Sequence, residues 1–380
     1  MASAMTKIKE DLKKNTLIYH IYWGTSGNSG LYLDEIYEVL KNEGYKQRAF
    51  VNYYYPFNYG DKLFFKRGDI ANSKYKGLIR KLLQLQEVLF GFVKILHYAK
   101  WQKPKLINFS HAGSSFFFIY WFLKAIRRIS KARLVVTCHD IMPLSIGEEN
   151  GREMKFRTKI FNTADNLIVH NLNSSIELKE KFNINYDKIL FHTFPLMDLN
   201  KLPPQTKVKY DSVDFLFIGH LRKAKGIEFL LDAWMDFHKL YPEARLRVCG
   251  KQTNDVKFNQ EILSANGVDF HLHFISDDDY YHFVKSARYV ILPYLYGTNS
   301  GIISTVLSLS TDVITSDLPM FAENPLVDSE DMFVTCDKNS LLSKLEEKFL
   351  KDENNSANKI VAYREDFNRQ LSKIYKELCN

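Results

Sequence analysis

Cysteine is scarce in this chain and badly placed for chemistry. Cys138, Cys249, Cys336 and Cys379 lie far apart, and no two have the short spacing of a zinc site or a redox pair. Neither a disulfide scaffold nor a zinc module is expected. Only 17 Gly and 10 Pro among 380 residues leave no room for a low-complexity array. The 46% hydrophobic and 25% charged content is that of a chain with packed cores, and its length favours two of them. Long apolar runs are also missing: no stretch reaches the roughly 18 uncharged apolar residues of a membrane span. The opening Met1-Ala-Ser-Ala-Met-Thr-Lys7 has no apolar signal-peptide core. A cytoplasmic location is therefore expected, with contact at the inner face of a membrane left open.

The net charge of +8 divides unevenly. Residues 1–200 carry 30 Lys and Arg against 18 Asp and Glu, or +12, while residues 201–380 carry 22 against 26, or −4. Only the first half can attract an anionic partner by charge. Its basic residues between Lys74 and Lys105 are interleaved with Leu, Phe, Ile, Tyr and Trp at roughly helical spacing. Two readings stay open: an ordinary core-facing helix, or a basic amphipathic surface for an anionic membrane. No nucleic-acid module accompanies the charge, so nucleic acid is not an expected partner.

Short apolar runs rich in β-branched and aromatic residues alternate with helical patterns throughout, which predicts an α/β fold with parallel sheets. The strand candidates of the first half are Thr16–Tyr22, Arg48–Tyr53, Lys105–Phe109, Arg133–Thr137, Asn166–His170 and Lys188–His192. Alternation lapses after Pro195 in a polar stretch with the pair Pro203-Pro204, and it resumes with Asp214–Ile218, Arg245–Cys249, Phe270–Ile275, Arg288–Leu292, Asp312–Ser316 and Asp331–Thr335. Two six-strand domains are expected, over 1–197 and 213–356, joined by a linker at 198–212 and followed by a C-terminal helix within 357–380. In open α/β sheets, ligands bind at the carboxyl ends of strands, often on helix N-termini. The loops after the strands are therefore where chemistry is sought.

Two such loops suit an anion. Gly219-His-Leu-Arg-Lys-Ala-Lys-Gly226 follows one strand and precedes an apolar helix, placing Arg222, Lys223 and Lys225 at a turn that glycines allow to be tight. Pro293-Tyr-Leu-Tyr-Gly-Thr-Asn-Ser-Gly-Ile302 follows another, and would set Asn299, Ser300 and Gly301 at a helix start. A solvated basic loop and an ordinary N-capped helix are the bland readings of each. Occurring together in one domain, the two loops favour a diphosphate.

Here the sequence resembles the family 4 glycosyltransferases, retaining enzymes of the GT-B fold, over nearly its whole length. The segment FLFIGHLRKAKGIEFLLDAW is similar to that family's strand, phosphate loop and helix, and LPYLYGTNSGIISTVLSLSTDVITSD to the branch whose donor loop carries a Ser-Gly pair. The resemblance implies two Rossmann-like domains facing an interdomain cleft, with the last helix packing back on the N-terminal domain. It implies that Arg222 and Lys225 grip the donor diphosphate, helped by Ser300, Gly301 and Ile302, and that loop ends near Gly250 and Ile275 flank the nucleotide base. In the first half, the loop within His20–Gly30, with Gly27, Asn28, Ser29 and Gly30, is similar to the family's glycine-rich acceptor loop. His139 matches its cleft histidine beside the transferred sugar, with Asp140 as an orienting partner. His111, His170 and His192 also follow strands and rank below it as cleft-lining residues.

The family's two acidic donor-loop positions fall on Gly297 and Thr305. Thr305 offers a hydroxyl where a carboxylate would hold the donor ribose. The activity implied is transfer of a hexose from a nucleotide-sugar donor, with retention, to a glycan or lipid-linked glycan acceptor in surface polysaccharide biosynthesis. No metal or other cofactor is expected, so positive charge must come from Arg222, Lys225 and helix N-termini. A non-catalytic partner subunit of another glycosyltransferase and a sugar-nucleotide epimerase of the same fold are the alternatives.

Overall fold

Strand β1 (Leu17–Tyr22) sorts its residues by strict alternation. Tyr19 and Ile21 join a core on one face of the first sheet, while Ile18 joins a second core on the other. The chain is seen here as a computed structural model that describes residues 16–24, 28–55, 59–69, 72–111, 116–142, 151–196, 209–297, 300–351 and 357–379. It forms two units, Met1–Pro195 with Asp366–Asn380, and Leu196–Glu365.

In the first unit β1 is followed by α1 (Asn28–Asn42), β2 (Lys46–Asn52), β3 (Asp61–Phe64), α2 (Gly77–Gln102), β4 (Leu106–His111), α3 (Phe116–Ile129), β5 (Arg133–Cys138), α4 (Arg152–Thr163), β6 (Asn166–Val169), α5 (Leu172–Phe182) and β7 (Ile189–Phe191). The sheet order is β3-β2-β1-β4-β5-β6-β7, all parallel. Helices α2, α3 and α4 pack on the face that carries Tyr19 and Ile21. The other face takes α1, through Tyr32, Ile36 and Leu40, and the end of the last helix.

The second unit runs β8 (Val213–Ile218), α6 (Ile227–Leu240), β9 (Leu246–Cys249), α7 (Gln260–Leu263), β10 (Val268–His271), α8 (Asp277–Lys285), β11 (Ala287–Leu292), α9 (Gly301–Ser308), β12 (Asp312–Ser316), α10 (Pro319–Ala322), β13 (Met332–Phe333) and α11 (Lys338–Leu350). Its order, β10-β9-β8-β11-β12-β13, is again all parallel. Both sheets thus reverse their strand order once, between β1 and β4 and between β8 and β11. These are the switch points at which doubly wound sheets open a crevice for ligands.

The last helix, α12 (Ala357–Cys379), is followed by no strand among the described residues. Its Phe367, Leu371, Ile374, Tyr375 and Leu378 recur on one face and fill the first unit's second core beside Leu106, Val135 and Ile168. Tyr375 Oη accepts from Asn108 Nδ2 at 3.1 Å, and Thr137 Oγ1 donates to Asn108 Oδ1 at 3.0 Å, so these three side chains are paired inside the seam. Fully burying each of the large apolar side chains contributes roughly 1.5–3 kcal/mol.

Several expected boundaries need correction. The first sheet has seven strands rather than six, because β3 is a four-residue edge strand with two charges, joined to β2 across a register shift at Val51/Asn52. An edge strand need not show the apolar run of a central one. His20 lies inside β1 and not in the loop after it. Strand β10 ends at His271, two residues earlier in start and four earlier in end than the expected Phe270–Ile275, and Phe274 is exposed. The expected Asp331–Thr335 shortens to the two residues of β13 after a 3₁₀ turn at Ser329–Asp331. Of the expected linker, residues 198–208 lie outside the described residues.

Candidate functional site

The β8 and β11 loops of the second unit interlock through glycines. After β8 the backbone turns at Gly219 (φ 132°), makes a 3₁₀ turn over Lys223–Lys225 and enters α6 through Gly226 (φ 67°). A Cβ at Gly226 would stand 1.8 Å from the Pro293 carbonyl oxygen in the β11 loop. No larger residue fits there without moving backbone. The Leu295 N–H donates to the Ala224 carbonyl at 2.9 Å and completes the junction. Gly250, after β9, is equally constrained (φ 147°), since its Cβ would lie 1.7 Å from the Gly219 oxygen.

This backbone gathers cations. The Lys225 ammonium lies 5.0 Å from the Tyr294 ring centroid and 3.3 Å from where a Cβ of Gly219 would be. It therefore sits above the junction of the two loops. Ser300 Oγ donates to Tyr294 Oη at 3.3 Å, which places the first turn of α9 beside the same ring, and the Ile302 side chain reaches over Gly219. Arg222 and Lys225 are half-buried. Burial, followed by the charges of Lys225, Arg222 and Lys251, lowers the pKa of the neighbouring His220 below its usual value, which marks a locally positive potential. Lys223 N–H donates to Asp255 Oδ2 at 3.0 Å, so the acid anchors the loop backbone.

The other positions expected to contact a donor divide. Gly301 opens α9, and Thr305 is buried on that helix, 5% exposed. At Gly297 a Cβ would meet the Met320 methyl at 3.2 Å, so α10 occupies the space next to the first of the two altered positions. Ile275, half-buried, packs against the apolar core between β10 and α8. Asn299 lies outside the described residues.

In the first unit the strand ends carry histidines. His139, His170 and His192 directly follow β5, β6 and β7, and side by side in a parallel sheet they form one cluster around Tyr32 of α1. The ring centroids are 5.3 Å apart for His139–His170 and 5.0 Å for His170–His192, with Tyr32 4.8 Å from His139 and 4.9 Å from His170. Phe194 closes the group, 6.0 Å from His139. The Thr193 carbonyl, 2.8 Å from His192 Nδ1, can only accept, so Nδ1 carries the proton and Tyr32 Oη donates to His192 Nε2 at 2.9 Å. His170 Nδ1–H donates in turn to the His192 carbonyl at 3.3 Å.

All three imidazoles are neutral near pH 7. Burial, with some repulsion from His192, lowers His139 to about 3; burial lowers His192 to about 4 and takes His170 well below the usual value. His139 is thus a neutral imidazole and not a cation. The neighbouring Asp140 is half-exposed, and its carbonyl accepts from Arg157 Nη1 at 2.6 Å. Asn28, Ser29 and Gly30 form the first turn of α1, His111 ends β4, and Gly27 lies outside the described residues.

Comparison with known proteins places this geometry. Residues 200–366 match the family described as glycosyl transferases group 1, and residues 112–190 the glucosyltransferase 3-like N-terminal domain. The second unit is thus similar to a group 1 glycosyltransferase domain over those residues. Among solved structures, a glycosyltransferase from Rickettsia africae is similar at 15% identity, with a TM-score of 0.63 over 96% of this chain and 98% of that one. Sucrose-phosphate synthase from Thermosynechococcus elongatus follows at 14% identity, with a TM-score of 0.61 over 96% and 95%. The catalytic domain of starch synthase IV from Arabidopsis thaliana, solved with ADP and acarbose, has 12% identity and a TM-score of 0.63 over 96% and 98%. Among curated proteins none matches. The fold is GT-B, and the coarse activity is that of a GT-B glycosyltransferase.

Reading the sequence missed Tyr32 and Phe194 as walls of the histidine cluster and Tyr294 as the ring beside Lys225. Tyr294 had a signal, lying directly after a strand inside the loop already singled out. Tyr32 and Phe194 had none, because they reach the cluster from α1 and from the segment after β7.

Proposed function

We propose that this glycosyltransferase moves a hexosyl group from a nucleoside-diphosphate sugar to a glycan or lipid-linked glycan acceptor, with retention of configuration, in surface polysaccharide synthesis. The observation that carries the reading is the Lys225 ammonium held over the glycine-tight junction of the β8 and β11 loops, at the switch point of a group 1 domain. A diphosphate there accepts from Lys225, from Arg222 and from N–H groups at the start of α9. The bond from the anomeric carbon to the diphosphate oxygen breaks, the acceptor oxygen takes its place on the same face, and its proton passes to the leaving phosphate. Charge on that phosphate is met by the two cations. His139, neutral and ringed by Tyr32, His170 and Phe194, supplies a fixed hydrogen bond to the sugar.

ADP bound to the similar starch synthase supports a nucleoside diphosphate as the ligand class. Calorimetry with nucleoside diphosphates tests the donor site, with binding expected in the wild type and about thirtyfold weaker binding in Arg222→Ala, the scale of one charge-assisted hydrogen bond. Proton NMR of the product's anomeric signal tests retention. A second reading, a non-catalytic partner subunit, is favoured by Met320 beside Gly297 and by the buried Thr305 where the family has acids. Absence of any nucleotide affinity would select it.

A further inference from the structure

Helix α2 is apolar on both sides. Its buried arc, with Val88, Phe92, Ile95 and Ala99, faces the core of the first unit. On the opposite side Leu78, Leu82, Leu89, Phe90, Val93 and Trp101 are each 48–72% exposed. At 100° per residue these six fall within an arc of roughly 140°, so they form one continuous stripe along the helix. The adjacent helix α3, held to α2 by the stacked rings of Phe92 and Phe122 at 4.0 Å, adds exposed Phe117 and Trp121 one turn apart. Scattered exposed apolar residues are ordinary, but a stripe over two packed helices marks an interaction surface.

The charge around the stripe selects the partner. Residues 74–133 hold 13 Lys and Arg and one acid, Glu87. Glu87 is buried and accepts from the Arg67 and Gly68 backbone N–H groups at 2.9 and 3.0 Å, so it offers no charge to the surface. Lys81, Lys94, Lys100, Lys124 and Arg128 form no ion pair with a described residue. Lys100 lies 5.7 Å from the Trp101 ring and Lys124 6.0 Å from that of Tyr120, so each of the two helices sets a cation beside an aromatic ring. A second copy set on this face would oppose like charges, which disfavours self-association. An anionic bilayer satisfies both features: apolar side chains enter the headgroup boundary while the cations meet lipid phosphates. No described helix is long and apolar enough to cross a membrane, so the contact lies in the plane of the surface.

We infer that the outer face of α2 and α3 docks the protein reversibly on anionic lipid. The inference stands apart from the transferase reading, since it needs neither donor nor acceptor. The test is co-sedimentation of the full chain with phosphatidylcholine vesicles, with and without phosphatidylglycerol, at low and high salt. Binding is expected only to the anionic vesicles and to fall at high salt. The fluorescence of the two exposed tryptophans, Trp101 and Trp121, should shift to the blue on binding. Changing Lys81, Lys94, Lys100 and Lys124 to Gln should weaken binding by about several hundredfold, at around fivefold for each cation near the surface. Phe90→Ser with Trp121→Ser should weaken it at least about tenfold and leave the thermal melt unchanged, because both side chains are exposed. Equal binding to neutral and anionic vesicles, no binding to either, or a wild-type dimer that the Phe90 and Trp121 changes dissolve would each overturn the inference.

Discussion

The two units share one topology and use it for opposite chemistry. At the strand ends of the second, three glycines with positive φ bring backbone loops into contact and leave cations above them. At the strand ends of the first, bulky rings fill the same kind of place, and burial removes charge from three histidines. A parallel sheet fixes where side chains converge, because every strand delivers its carboxyl end to the same edge. What converges is decided by size and solvation. Small residues open backbone N–H groups and positive potential to an anion, and large ones close a dry cluster of neutral hydrogen-bonding groups.

The sharpest way to break this contrast is to give the second unit a side chain it cannot hold. Gly226→Ala should destabilise that unit by at least about 4 kcal/mol, since it combines a left-handed backbone with a clash against a carbonyl. Denaturant unfolding followed separately in each unit should show the second shifted and the first unmoved. Equal shifts in both would mean that the glycine junction is not local to the donor loops.

Acid should act on the first unit instead. His20, His139, His170 and His192 have folded-state pKa values below the unfolded one, so the unfolded chain binds more protons as pH falls, and stability is lost between about pH 6.5 and 4. His20, buried in β1 and lowered to about 4 by burial, should alone account for about 3 kcal/mol by pH 4. His20→Gln should flatten the unfolding free energy of the first unit over that range. An unchanged pH slope would remove the buried-neutral assignment.

Lys225→Ala should cost about 2 kcal/mol of nucleoside-diphosphate affinity while both unfolding transitions stay in place. Titration calorimetry reads this directly, and unchanged affinity would detach the cation from the donor phosphate. The smallest effect concerns the last helix. Tyr375→Phe removes the acceptor of the Asn108 amide and should cost the first unit about 1 kcal/mol, without effect on the second. Hydrogen exchange over α12 would show whether its C-terminal half loosens.

The α/β class, the strand-loop-helix order and the two anion-suited loops were legible because parallel βαβ units write their cores as apolar runs and their turns as glycines. The histidines were visible as residues after strands, but their union was not. His139, His170 and His192 are separated by 31 and 22 positions, and only the pairing of β5, β6 and β7 makes them neighbours. The same limit applied to β3, whose short charged segment becomes a strand because β2 has an open edge.

By itself, then, the sequence determined what local forces control: where strands run, where glycine permits a left-handed turn, which half carries the positive charge. Tertiary structure decided what depends on distance through space. It set which strands lie side by side, which rings enclose His139 and take its charge away by excluding water, and which side of α2 faces the core. The reason is physical. Propensity and alternation act over a few residues, whereas burial and electrostatic coupling depend on neighbours that only the completed sheets supply.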